Sequence, residues 1–175
     1  MQKKSALRQC AGFTLLEILT VIVVIGLLAV LLAPAADGIR KKAQGIKCAN
    51  NLRSLHVAAN LYVEQNNSWP QIPIDPTDQK AYGRQWIEVL RPFGPQEVTW
   101  ICPTIQRLLN NPDFKDPANF RTDYLASTFS PGRMLPFKWS TQPWFLEKGS
   151  VHGKGNLLIF ADGSIKPLNE VVSNQ

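Results

Sequence analysis

The sequence predicts an α+β fold, a long N-terminal helix packed on a small antiparallel sheet domain. Three observations carry that prediction. An apolar run over residues 18–33 follows a basic head of Lys3, Lys4 and Arg8. Over residues 46–63 apolar side chains recur every three or four positions, the period of a helix with one buried face. Near the C-terminus two short apolar runs flank Asp162-Gly163, which reads as a β-hairpin whose two-residue turn needs positive φ at both central positions.

Taken in order, the first element is one helix from Phe13 to Asn66. Its apolar part, roughly 20 residues at about 1.5 Å each, is long enough to cross a bilayer. Residues 13–34 are therefore expected as a transmembrane half and 35–68 as an amphipathic scaffold half. Pro34 and Gly38 predict a kink between them. The scaffold face is Ile46, Leu52, Leu55, Ala59, Tyr62 and Val63, with Asn50 and Asn51 expected at solvated positions or, as the alternative, in side-chain contact with the globular domain. Asn66-Asn67-Ser68 and Trp69-Pro70 end the helix. Glu17 lies one turn into the apolar half, where a carboxylate facing lipid alone costs about 2.5–3.5 kcal/mol, so it calls for a partner. Thr14-x-x-Glu17 also fits a capping box. The basic head, apolar core and Ala33-Pro34-Ala35-Ala36 would suit a conventional signal peptide, but for an overlong core that carries a glutamate.

Residues 69–175 form the remaining globular domain, rich in proline and tryptophan. A short helix is expected over 81–91, with Trp86, Val89, Leu90 and Phe93 on one side and Pro92 near its end. Residues 98–103 read as a strand stopped by Pro103. Residues 105–110 suit one or two helical turns. Residues 111–142 are dense in Pro, Asn, Asp and Ser and are expected as long loops, with a strand at 124–128.

The length suits one domain beside the apolar segment. The net charge is +6, but the first 12 residues hold three of the 19 basic residues and none of the 13 acidic ones, leaving the remainder at +3. With no basic run, the balance does not point to nucleic acid. Basic residues flank the apolar run on both sides (Arg40, Lys41, Lys42 and Lys47 on the far side), so charge does not fix an orientation.

Gly12-Phe13-Thr14-Leu15-Leu16-Glu17 followed by an apolar helix resembles the prepilin leader of type IV pilins and type II secretion pseudopilins. The resemblance implies that residues 1–12 are a leader removed by a prepilin peptidase, which cuts after Gly12 and N-methylates Phe13. Glu17 would be the glutamate that meets the N-terminal amine of a neighbouring subunit during assembly. It further implies a cytosolic leader, a single pass through the inner membrane with membrane lipid around it, a periplasmic globular domain, and an assembly platform in that membrane. Cys48-Ala49-Asn50-Asn51-Leu52-Arg53, Asn67-Ser68-Trp69-Pro70, Cys102-Pro103 and the H-x9-DG element His152, Asp162, Gly163 resemble a narrower group, the pseudopilin-like proteins of planctomycetes and verrucomicrobia.

Cys10 leaves with the leader, and in the oxidising compartment that the resemblance implies Cys48 and Cys102 could form a disulfide or remain as buried thiols. His152 and Asp162 supply too few ligands for a defined metal site. The expected role of His152 is a structural hydrogen bond to the hairpin, and no cofactor is expected. Analogy with the major pseudopilins would place calcium near Asp162. Ser150 and Ser164 lack the surroundings of a nucleophile. The expected function is therefore a non-enzymatic pseudopilin that assembles into a type II secretion pseudopilus or pilus-like filament. Two other readings are a membrane-anchored periplasmic ligand-binding domain that does not polymerise, contacting its ligand through exposed tryptophans, and a DNA-uptake pilin.

Overall fold

A computed structural model describes residues 13–74, 77–110, 114, 116, 117, 119–131, 135–153 and 155–173, the side chains of residues 32–36 and 135 excepted. The leader, with Cys10 and Gly12, lies outside the described residues. The chain divides into two compact units, Met1–Arg40 and Lys41–Gln175. Helix α1 (Leu15–Asn66) supplies residues to both and runs through Pro34 and Gly38 as one element. It ends where Asn67 adopts φ +53, a left-handed position that asparagine tolerates.

In the first unit every Leu, Ile and Val from Leu15 to Leu31 is at least half exposed. Among the described residues no helix is long and apolar enough to cross a membrane.

The second unit is an α+β domain. Along residues 41–66, Cys48, Leu52, Leu55, Ala58, Ala59 and Val63 are buried, the three-and-four spacing of one helix face. Ile46, expected on that face, is exposed. The next elements are α2 (Gln79–Leu90), a 3-10 turn over Arg91–Phe93, another over Glu97–Trp100, and α3 (Pro103–Leu109). Helix α2 starts on an Asp78 cap that accepts from the Ala81 amide and buries Trp86, Ile87 and Leu90. Val98 to Trp100 are thus helical and not the expected strand. The Gln96 amide donates to the Thr99 hydroxyl at 3.2 Å, a local capping bond that wins over the β-propensity of Val, Thr and Trp. Pro103 then opens α3 as a first-turn proline.

Strands β1 (Tyr124–Ala126), β2 (Phe145–Glu147), β3 (Leu157–Ile159) and β4 (Ile165–Pro167) form one antiparallel sheet in chain order. A short α4 (Leu135–Lys138) precedes β2 and α5 (Leu168–Ser173) follows β4; neither helix nor strand β2 was expected. Tyr124 pairs with Glu147, and Phe145 pairs with both Ala126 and Ile159. These residues share the buried face of the sheet, as period-two alternation requires.

Aromatic rings fill the core. Trp69 lies 5.0 Å from Phe129 and from Trp144, and 5.7 Å from Trp86, centroid to centroid. Its indole N–H donates to the Ser127 carbonyl, and that of Trp144 donates to the Pro136 carbonyl. Trp69, Trp86, Trp100 and Trp144 are all buried and Trp139 is exposed, so the tryptophan contact surface of the ligand-binding reading reduces to one side chain.

The C-terminal hairpin is present, with a different turn from the one expected. The Gly163 amide donates to the Phe160 carbonyl and the Phe160 amide to Ser164. Gly163 alone in the turn takes positive φ, +77, which fits a type I turn closed by a left-handed glycine. A Cβ at Gly163 would meet His56 Cε1 at 3.6 Å, an ordinary contact. Gly163→Ala is therefore expected to lose about 1–2 kcal/mol through backbone strain alone. A denaturant titration of the full chain in detergent would read this as a lower midpoint, and an unchanged midpoint would contradict the turn.

Candidate functional site

Two places gather the residues singled out from the sequence. The first is the start of α1. Glu17 Oε2 accepts from the Thr14 amide at 2.8 Å and the Thr14 hydroxyl at 2.9 Å, while the Glu17 amide reaches Thr14 Oγ1 at 3.3 Å. The capping box thus forms, and it holds the glutamate one turn from Phe13, which is 83% exposed. Around it stand the exposed Leu15, Leu16, Ile18 and Leu19.

The second place is buried in the Lys41–Gln175 unit, where α1, the start of α3, β2 and the loop after it converge. Cys48 on α1 and Cys102, the N-cap of α3, are joined by a disulfide with Cα atoms 5.4 Å apart. His152 Nε2 lies 3.8 Å from Cys102 Sγ and 3.1 Å from Glu147 Oε1. The imidazole Nδ1 faces α1 at Gly45, where a Cβ would stand 3.5 Å away. Glu147 is fully buried, and its Oε2 has no hydrogen-bond partner. Burial pushes the Glu147 carboxyl above its usual range, and His152 pulls the other way.

Neighbouring bonds fix this cluster in place. Asp123, also buried, accepts from the Cys102 amide at 2.8 Å and from Arg121 Nε at 2.9 Å. Arg121 in turn donates to Gln106 Oε1. Asn51 Nδ2 donates to the Ile101 carbonyl at 2.9 Å, and Tyr124 donates to the Cys48 carbonyl at 3.4 Å. Of the two asparagines, Asn50 is exposed, as the solvated reading expects, while Asn51 follows the alternative and ties α1 to the segment leading to Cys102.

The sequence reading expected His152 to bond the hairpin, but its ring nitrogen lies against Glu147 instead. That role falls to His56, whose Nε2 lies 3.0 Å from the Ala161 carbonyl and whose ring packs 4.7 Å from Trp144. Asp162 stays within its own turn, accepting from the Ser164 amide at 2.9 Å. The Ser164 hydroxyl, and after it the Ser164 amide, hold the Asp162 carboxyl below the usual range. Glu147 was missed altogether. Its signal was the Phe145-Leu146-Glu147 alternation, which sets a carboxylate on the apolar face of a strand.

Residues 7–33 match the family described as the prokaryotic N-terminal methylation motif. The chain is 40% identical over 63 residues to type II secretion system core protein G of Aeromonas hydrophila, covering 36% of this chain and 44% of the relative. It is 44% identical over 59 residues to core protein G of Pectobacterium carotovorum subsp. carotovorum, covering 34% and 38%. Against core protein G of Escherichia coli (strain K12) the identity is 42% over 59 residues, covering 34% and 41%. The chain thus spans less than half the length of these curated relatives. No solved structure matches. Residues 7–33 thus carry the N-terminal methylation motif, and about a third of the chain is similar to type II secretion system core protein G.

Proposed function

We propose that the chain is a structural subunit of a type II secretion pseudopilus, and not an enzyme. It is made with a leader that a prepilin peptidase removes after Gly12, leaving an N-methylated Phe13, and it is anchored in the inner membrane with the Lys41–Gln175 unit in the periplasm. The observation that carries the reading is the bare apolar surface of residues 15–31 with Glu17 set into it. Each such side chain left in water forgoes about 1.5–3 kcal/mol of burial, a loss that lipid and then the helices of neighbouring subunits would remove. Glu17 then finds the amine of a neighbour's Phe13, each charge offsetting the other's desolvation.

A photo-crosslinking amino acid in place of Ile22 tests this in membranes of the native host. The expected product is an adduct between subunits of the same filament. Adducts to lipid alone would instead support a membrane-anchored domain that does not polymerise.

A further inference from the structure

We infer that Cys48, Cys102, His152 and Glu147 form a zinc site whenever the two cysteines are thiols. One ligand atom from each of the four lies within 4.8 Å of the others. Tetrahedral zinc with thiolate, imidazole and carboxylate ligands at about 2.0–2.3 Å sets its ligands about 3.3–3.8 Å apart. The imidazole nitrogen already stands 3.1 Å from the carboxylate and 3.8 Å from one sulfur. The two sulfurs need to separate, and a Cα–Cα distance of 5.4 Å allows this by side-chain rotation.

The independent observation is Glu147. A carboxylate at an apolar strand position, with no close hydrogen-bond partner on one oxygen, His152 on the other and the Leu157 amide nearby, is costlier than a hydrophobic residue of the same size. A divalent cation supplies the charge that this group lacks. Two thiolates and one carboxylate around zinc leave a net charge of −1, against a buried carboxylate and imidazole in the disulfide form. Metal and disulfide are therefore alternative closures of one junction between α1, α3 and β2. Zinc binding to the dithiol releases the thiol protons and needs no electron transfer.

The sequence reading assigned no metal to these residues, because the ligands come from widely separated segments, the two cysteines alone lying 54 residues apart, and Glu147 was not seen. The test uses the full chain in detergent, reduced with a phosphine and titrated anaerobically with Co(II) and then Zn(II). The expected result is one Co(II) per chain with thiolate-to-cobalt charge-transfer bands and tetrahedral d–d bands, displaced by Zn(II). Protein with the disulfide intact should take up none. E147Q and H152A should weaken binding by about tenfold or more, with near-UV circular dichroism of the tryptophan core showing that each variant is folded. H152C should restore binding with an added thiolate band. A folded, reduced chain without charge-transfer bands, or binding unchanged in H152A and E147Q, would overturn the proposal.

Discussion

Glu17→Ala is expected to remove the chain from filaments while the Lys41–Gln175 unit stays folded. Among the described residues the Glu17 carboxylate takes its hydrogen bonds from Thr14 atoms at the helix start. In the filament proposed above, alanine would leave a neighbour's Phe13 ammonium without a counter-charge, and breaking a desolvated pair costs about 3–5 kcal/mol. Subunit affinity should fall by a factor of a hundred or more. The capping box gives alanine a second, smaller effect of about 1 kcal/mol at the helix start. Glu17→Gln separates the two, since its amide oxygen can still accept from Thr14 while the charge is gone. Pull-down of tagged subunits from solubilised membranes reads both variants. Loss in both supports charge pairing, and a glutamine variant that assembles normally would show that the cap, not the charge, was needed.

Cys48→Ser is the second large effect. The bridge closes a loop with a sequence separation of 54 residues, and restricting such a loop in the unfolded chain contributes about 4 kcal/mol. The serine variant also leaves Cys102 as a lone buried thiol beside His152. A denaturant midpoint for the full chain under oxidising conditions should drop accordingly, and Cys102→Ser should drop by the same amount. The double serine variant should be no worse than either single one, because both lose one and the same crosslink. Single variants as stable as the parent would mean that the bridge contributes nothing to the fold.

How far the sequence could be read follows from how local each signal is. Helix α1 announces itself through period and length, because Leu52, Leu55, Ala59 and Val63 repeat a helical spacing that one window contains. The hairpin was legible for the same reason, although its turn was not: Asp-Gly permits both a two-residue turn and the longer one that places Gly163 alone at positive φ. Residues 98–100 misled because β-propensity is weak against a cap supplied by Gln96 and Thr99. Strand β2 is three residues long, too short for a period to show. Glu147 was hidden with it, and the buried cluster was hidden with Glu147, since its members meet only after α1, α3 and the sheet have packed. The bond expected of His152 falls to His56 for a related reason: spacing along the chain placed His152 before the hairpin, while the fold brought His56 across from α1.

The central claim is that this chain is processed as a prepilin, and the mass and N-terminal sequence of the protein isolated from its native membrane test it most directly. The prediction is a chain that begins at Phe13 with an N-methyl group, its first 12 residues removed. A chain beginning after Ala35 or Ala36 would contradict it, for then the apolar segment would be a discarded signal, and the membrane anchor, the Glu17 pairing and the filament would fall together.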